Sequence, residues 1–367
     1  MAPIAIEAER RAAFDHRLMA SGQQAGLFDQ AISAFGLTID YHLGSHLGGA
    51  SHEAQVARIR GAVCTAFARD RPDLVLVQGD TNTALAGAQA AHSLGIPLGH
   101  VEAGLRSGMP GRPFPEEPNR VKIAALASLH FAPSPSAAAN LMNEGWDVGV
   151  CITGNPGIDA LMLLRKASAP RVNQSGHILV TCHRRENFGV PLERICGAIL
   201  ALADQGARIL WPLHSNPATL ATICAKLGGH PRITLSASLT YPAMLETIRG
   251  ASLVLSDSGG MQEECAALGV PLLLMREETE RPEVVASGNC ILVGSDPAKI
   301  VREAQRLSHD PIHRWSMSLP AFPYGHGSAA IAILDHIEAH FALNSTPFGF
   351  NSARYGTEMD TAELAFA

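Results

Sequence analysis

Several short clusters in this chain hold side chains able to do acid–base or anion chemistry. Asp80 in GDTNTA, Glu102 in HVEAGLR, and Glu116 with Glu117 in RPFPEEPNR supply carboxylates from successive segments. General acid–base catalysis needs such a set, one group holding a proton while another lacks it. Each also has a plainer role: Asp80 as a helix N-cap, Glu102 in an ion pair with Arg106, Glu116 and Glu117 in a solvated, proline-stiffened loop.

The stretch VLSDSGGMQEECAALGVP runs through Asp257, Ser258, Gly259 and Gly260 into Gln262, Glu263 and Glu264. Glycines let a backbone approach a ligand, and free N–H groups at a helix start favour an anion such as a diphosphate. Glu264, one turn in, has the reach to bind the two hydroxyls of a ribose. The competing reading is an N-capping Ser or Asp followed by acidic residues that only stabilise the helix. TCHRRENFG places His183, Arg184, Arg185 and Glu186 together, a set suited to phosphate or to a solvated turn. EETERPEVV adds Glu280, Arg281 and Glu283, and WPLHSNP adds His214, for which capping is the simpler role.

These clusters share one kind of location. Strand-like apolar runs end in them: DLVLVQ before GDT, PLGHV before EAG, HILVT before CHRREN, SLVLS before DSGG, PLLLM before REE. Further runs, LHFAPS, RILWP, RITLS and CILVG, have the same form, and between the runs lie segments of helical period such as EAQVARIRGAVCTAFARD and PLERICGAILALADQG. Alternation of this kind predicts an α/β fold with parallel sheets wound by helices on both faces. Ligands in such sheets bind beyond the carboxyl ends of the strands, where the polar clusters fall.

Apolar periodicity stops around Arg165 to His177, so a boundary is expected there. Residues 1–168 and 169–328 then form two Rossmann-like domains facing a central cleft. Residues 329–343 form a C-terminal helix able to pack back on the first domain, and 344–367 a tail without clear period. The 367 residues suffice for two cores, since single cores rarely grow past ~250–300.

A net charge of -6, from 28 Lys+Arg against 34 Asp+Glu, gives no field to hold a nucleic acid. No apolar run reaches the ~18–20 residues of a membrane span and no secretory signal opens the chain, so a cytoplasmic protein is expected. The 7 cysteines are scattered singly and read as reduced and structural. No His, Cys and carboxylate set recurs at ligand spacing, so neither metal nor other cofactor is expected.

Taken in order, GDT, HVEAGLR, PEE-x-NR, ITGN, HRREN, P-x-H-x-NP, SDSGG-x-QEE and ERPE resemble the non-hydrolysing UDP-N-acetylglucosamine 2-epimerases, from about Met1 to Leu334. The resemblance implies the glycosyltransferase-B architecture and reversible conversion of UDP-N-acetylglucosamine to UDP-N-acetylmannosamine. In that family UDP leaves by anti elimination, 2-acetamidoglucal stays bound, and UDP re-adds after C2 is reprotonated on the other face. Asp80, Glu102 and Glu116 match the family's catalytic acids and His183 the histidine at the departing diphosphate. Ser258, Gly259 and Gly260 match the diphosphate turn, Glu264 the ribose carboxylate, and Arg281 the arginine of the phosphate pocket. A homodimer is implied as well.

The chain departs from the family pattern in places. Cys182 replaces a glycine, FPYGHG replaces N-P-Y-G-D/N-G, and Gln24 and Ala25 stand after Gln23 where a His-Arg pair usually serves an activating second substrate. MAPI, at Met1, aligns after the family's first strand and its G-T-R-P-E-x-x-K loop, so that interior strand and its phosphate-gripping residues are expected to be missing. The alternatives are a truncated, inactive nucleotide-sugar-binding remnant, a hydrolysing epimerase, or a UDP-sugar glycosyltransferase of the same fold.

Overall fold

A computed structural model describes residues 1–22, 32–44, 51–166, 176–213 and 216–345. His214, the segment from Gln23 to Ala25, most of the 165–177 boundary and residues 346–367 lie outside the described residues.

Among the described residues the strands are β1 (Met19–Ala20), β2 (Tyr41–His42), β3 (Val75–Gln78), β4 (Leu98–Val101), β5 (Leu129–Ala132) and β6 (Val150–Ile152), followed by β7 (His177–Thr181), β8 (Ile209–Pro212), β9 (Ile233–Ser236), β10 (Ala251–Ser256), β11 (Leu272–Leu274) and β12 (Cys290–Leu292). Every pairing among them is parallel. All nine apolar runs picked out above are strands. The three not picked out, β1, β2 and β6, are two or three residues long, too short to show a period.

Strands β7–β12 form one sheet in the order β12-β11-β10-β7-β8-β9. Its centre is buried on both faces: Leu179, Val180, Val254 and Leu255 are all 0% exposed. That explains why these strands read as unbroken apolar runs. The winding reverses between β7 and β10, which opens a crevice at their carboxyl ends. The helix Val190–Asp204 covers one face by burying Leu192, Ile195, Ile199 and Leu202. Each such side chain contributes roughly 1.5–3 kcal/mol.

Strands β3–β6 form a second sheet in sequence order, and β1 and β2 pair only with each other. The helix Ala2–Glu9 starts at the carboxyl end of β3, where the Met1 amine donates to Gln78 Oε1 at 2.5 Å. The two parts of this first layer are linked at their ends by Ser21 Oγ and Thr83 Oγ1, 2.7 Å apart. The C-terminal helix Ala329–Ser345 lies against Ala2–Glu9 and Pro156–Lys166, and Ile333, Leu334 and Ile337 share a core with Ile4, Ala8 and Phe131.

Candidate active site

The carboxyl ends of the two sheets face one another, and the clusters meet there. On the first sheet, Asp80 follows β3, and it does not cap the next helix; that task falls to Thr81, whose side chain accepts from the Ala84 N–H. Asp80 Oδ2 instead lies 2.6 Å from Arg120 Nη2. Asn119 Nδ2 fixes the backbone carbonyl of Asp80 at 2.8 Å. From beneath, the imidazole of His100 fixes Gly79 O at 2.9 Å. Burial pushes the His100 pKa down to about 4 and leaves the ring neutral.

Glu102 follows β4. Its pairing with Arg106 does not occur: Arg106 binds Glu144 at 2.6 Å, while Glu102 Oε1 takes Arg281 Nη2 at 2.6 Å from the opposite sheet. Glu102 has φ 68, the left-handed region, the only non-glycine residue among those described to do so. Two cis prolyl bonds, Arg112–Pro113 and Phe114–Pro115, precede Glu116 at the start of the helix Glu116–Leu126. That loop is no solvated turn. Glu117 is 6% exposed and receives Arg120 Nη1 at 2.8 Å and the Ser107 N–H at 3.2 Å. Glu116 faces Arg184 at 3.8 Å, and its Oε2 is buried without a hydrogen-bond partner.

On the second sheet, β7 and β10 each end in a loop of the crevice. Ser258 is the N-cap of the helix Gly259–Leu268 but makes no side-chain cap, and no acidic residue lies in the first turn. The stabilising reading of this motif therefore fails: the Ser258 N–H goes to Ser256 Oγ at 3.0 Å, and no side-chain cap or first-turn acid opposes an anion at the helix start. Nothing lies within 4 Å of where a Cβ of Gly260 would sit. At Gly259 a Cβ would come 2.9 Å from Arg281 Nη1, so glycine there makes room for the guanidinium. Asp257, 0% exposed, turns away from the helix to the His183 loop. It accepts from the backbone N–H groups of His183 and Arg184 and from Asn187 Nδ2. His183 is left with its side chain 42% exposed to the cleft and Nδ1 3.3 Å from Asp257.

Arg281 ties the two sheets together. It is 6% exposed, and besides Glu102 it holds Glu263 through Nε at 2.7 Å and Glu280 through Nη1 at 2.5 Å. Asn155 Nδ2, from the loop after β6, also reaches Glu263, at 2.9 Å. Burial pushes the Glu263 carboxyl up to about 7 against the pull of Arg281. Glu264 is raised too, by burial, and its hydrogen bond with Tyr241 pulls the other way. Nearby, Glu283 accepts from Ser134, in the loop after β5, and from the Tyr324 hydroxyl at 2.6 Å.

Every candidate site residue except Glu264 thus stands at the facing strand ends or within one contact of them; Glu264 sits a turn deeper, beside Tyr241. Arg120 and Asn155 were not singled out from sequence. PEE-x-NR did hold the signal for the first, since Glu116 and Arg120 are four apart and share a helix face. Asn155 closes the ITGN motif, but its partner Glu263 lies 108 residues away, so its contact could not be read locally.

The UDP-N-acetylglucosamine 2-epimerase family model matches residues 6–338. A Salmonella typhimurium UDP-N-acetylglucosamine 2-epimerase is 37% identical over 93% of this chain and 95% of its own length. The Bacillus subtilis protein of the same name is 35% identical over 93% and 92%. Among solved structures, the Neisseria meningitidis UDP-GlcNAc 2-epimerase bound to UDP-GlcNAc superposes with TM-score 0.88 at 33% identity, over 92% of this chain and 96% of its own. The S. aureus MnaA–UDP structure gives 0.89 at 33% identity, over 96% of both. A calicheamicin glycosyltransferase is alike in fold alone, at TM-score 0.55 and 16% identity over 94% of this chain and 95% of its own. With the fold, the motifs and the length of these relatives all in agreement, the chain belongs to the UDP-N-acetylglucosamine 2-epimerase family.

Proposed function

We propose that Asp80, Glu102, Glu116 and His183 carry out the family's C2 epimerisation of UDP-N-acetylglucosamine by eliminating and re-adding UDP. One observation carries this reading: two carboxylates from successive strand ends of the first sheet, Asp80 and Glu102, and a third from the start of the next helix, Glu116, face the His183 and Ser258–Gly260 loops of the second across one cleft. Elimination needs a base at C2 and neutralisation of the departing diphosphate, and return on the other face needs an acid. The acids stand on one side of the cleft for the sugar. His183 and the uncapped start of the helix Gly259–Leu268 stand on the other for the diphosphate. Glu116 Oε2, buried and unpartnered, is an oxygen free to take a proton or a sugar hydroxyl. Glu264 binds the ribose, and Arg281 completes the phosphate pocket.

The setting that fits is a cytoplasmic homodimer supplying surface polysaccharide precursors, with no nucleic acid or membrane partner. No described helix is long and apolar enough to cross a membrane. Light scattering on the purified protein reads the oligomeric state.

Incubation with UDP-N-acetylglucosamine in deuterated water, followed by proton NMR, tests the reaction. UDP-N-acetylmannosamine carrying deuterium at C2 is expected. Free N-acetylmannosamine would place the chain with hydrolysing enzymes, and sugar transfer to an acceptor with glycosyltransferases.

A further inference from the structure

Four guanidinium groups converge on one buried carboxylate that the proposed chemistry does not use. Glu280 is 2% exposed. Its Oε1 lies 2.5 Å from Arg281 Nη1, 3.6 Å from Arg120 Nη2 and 3.8 Å from Arg184 Nη2, and its Oε2 lies 2.8 Å from Arg276 Nη1. Burial alone would raise this carboxyl, yet the arginines hold it well below the usual carboxylate range.

All four arginines also pair with other acids, Arg120 with Glu117 and Arg281 with Glu263 among them, and three of the four each reach a different one of the proposed catalytic acids. Arg281 meets Glu102 at 2.6 Å, Arg120 meets Asp80 at 2.6 Å, and Arg184 meets Glu116 at 3.8 Å. Arg276 turns instead to Glu186, at 3.2 Å. We infer that Glu280 is a positioning residue which, through Arg281, Arg120 and Arg184, sets Glu102, Asp80 and Glu116 in one geometry. This inference rests on the assignment of those acids made above.

The physical reason is charge balance in a dry site. Four cations held this close repel one another, and a common anion at their centre fixes each in place. Arg281 and Arg184 then turn their other terminal nitrogens to Glu102 and Glu116, and Arg120 Nη2 stands between Glu280 and Asp80. Glu280 belongs to the second domain and the acids to the first, so the arrangement exists only while the domains are apposed. Closing the cleft and aligning the acids become one event.

Glu280→Gln keeps the shape and removes the charge. Turnover is expected to fall ~10²-fold, the scale of a misplaced catalytic group, with KM for UDP-N-acetylglucosamine changed less than ~3-fold. Glu280→Asp should recover part of the turnover, and the pH profile of kcat should move in Glu280→Gln. Thermal melting reports the folded fraction. Should Glu280→Gln not fold, the charge-balanced pair Glu280→Gln with Arg276→Gln replaces it, and the same loss of turnover is expected. Turnover within ~3-fold of wild type, or a loss that merely tracks the unfolded fraction, overturns the inference. A crystal structure of the variant decides without any turnover. Separation of the three arginine–acid pairs supports the inference, and unmoved pairs overturn it. Failure of the wild-type protein to epimerise would instead remove the proposed function, and the crystal structure would still judge Glu280.

Discussion

The carboxylate of Asp257 grips the backbone of His183, with Oδ2 3.0 Å from the amide nitrogen, and faces Nδ1 of the same residue at 3.3 Å. A group that is 0% exposed thus anchors a histidine whose ring is open to the cleft. One buried carboxylate holds both the loop backbone that carries the ring and one face of the ring itself.

Asp257→Asn turns one acceptor oxygen into a donor facing other donors. It should lower kcat/KM by ~10²-fold through misplacement of His183. It should also lower Tm, because buried N–H groups lose a charged acceptor worth ~1.5–3 kcal/mol each. Steady-state kinetics with a thermal melt checks both, and an Asp257→Asn protein as active as wild type would show that the loop holds itself.

His183→Ala and Glu102→Gln should each cut turnover by ~10²-fold or more, the usual scale for a lost acid–base or electrostatic group. Near-normal rates in either would mean that the roles lie on other residues. Deuterium incorporation at C2 separates the two: loss of exchange points to the base, and loss of UDP release to the diphosphate side.

His130, on β5, is 1% exposed, and burial together with the nearby Arg106 pushes its pKa down to about 4. The unfolded chain takes up this proton near the ordinary pH 6.5, while the folded protein resists until about pH 4. Stability from this site is therefore present above pH 6.5 and lost as pH falls from 6.5 to 4. His130→Leu should reduce the drop in Tm between pH 7 and pH 4.5. An unchanged drop would show that other groups dominate the acid response.

Gly104 has φ +82, and a Cβ there would sit 2.1 Å from Ala137 O on the helix Pro135–Asn143. Gly104→Ala should cost more than ~3 kcal/mol, since strain and clash add and the opposing atom is backbone. Chemical denaturation against wild type measures it. A cost under ~1 kcal/mol would mean that the helix can slide away.

What the sequence made readable divides along physical lines. The runs that became β7 and β10 are buried on both faces, so their apolar character needed no partner to be recognised. Strands β1 and β2 are two residues each and exist through pairing with one another, which no local window reveals. In the site, Asp80 and Glu102 could be named because strand ends carry them, and Glu116 because it lies in the proline-rich PEE-x-NR cluster that opens a helix. Their partners could not, since Arg281 is 179 residues from Glu102 and the choice between Arg106 and Arg281 is made by the folded cleft. The competing reading of this turn, an N-capping Ser or Asp, could not be ruled out locally for a similar reason: Asp257 is drawn off to the His183 loop and Ser258 makes no side-chain cap.

The left-handed backbone of Glu102 bears on how this protein can change over generations. A side chain bearing a Cβ in that region costs on the order of 1–3 kcal/mol, which glycine would not incur. Glu102→Gly, a single-base change from a GAA or GAG codon, relieves this strain while deleting a carboxylate of the cleft. The same change would leave Arg281 without a partner it holds at 2.6 Å, and losing one member of a buried pair costs about 3–5 kcal/mol, more than the strain relieved, so the position resists this change on stability grounds as well.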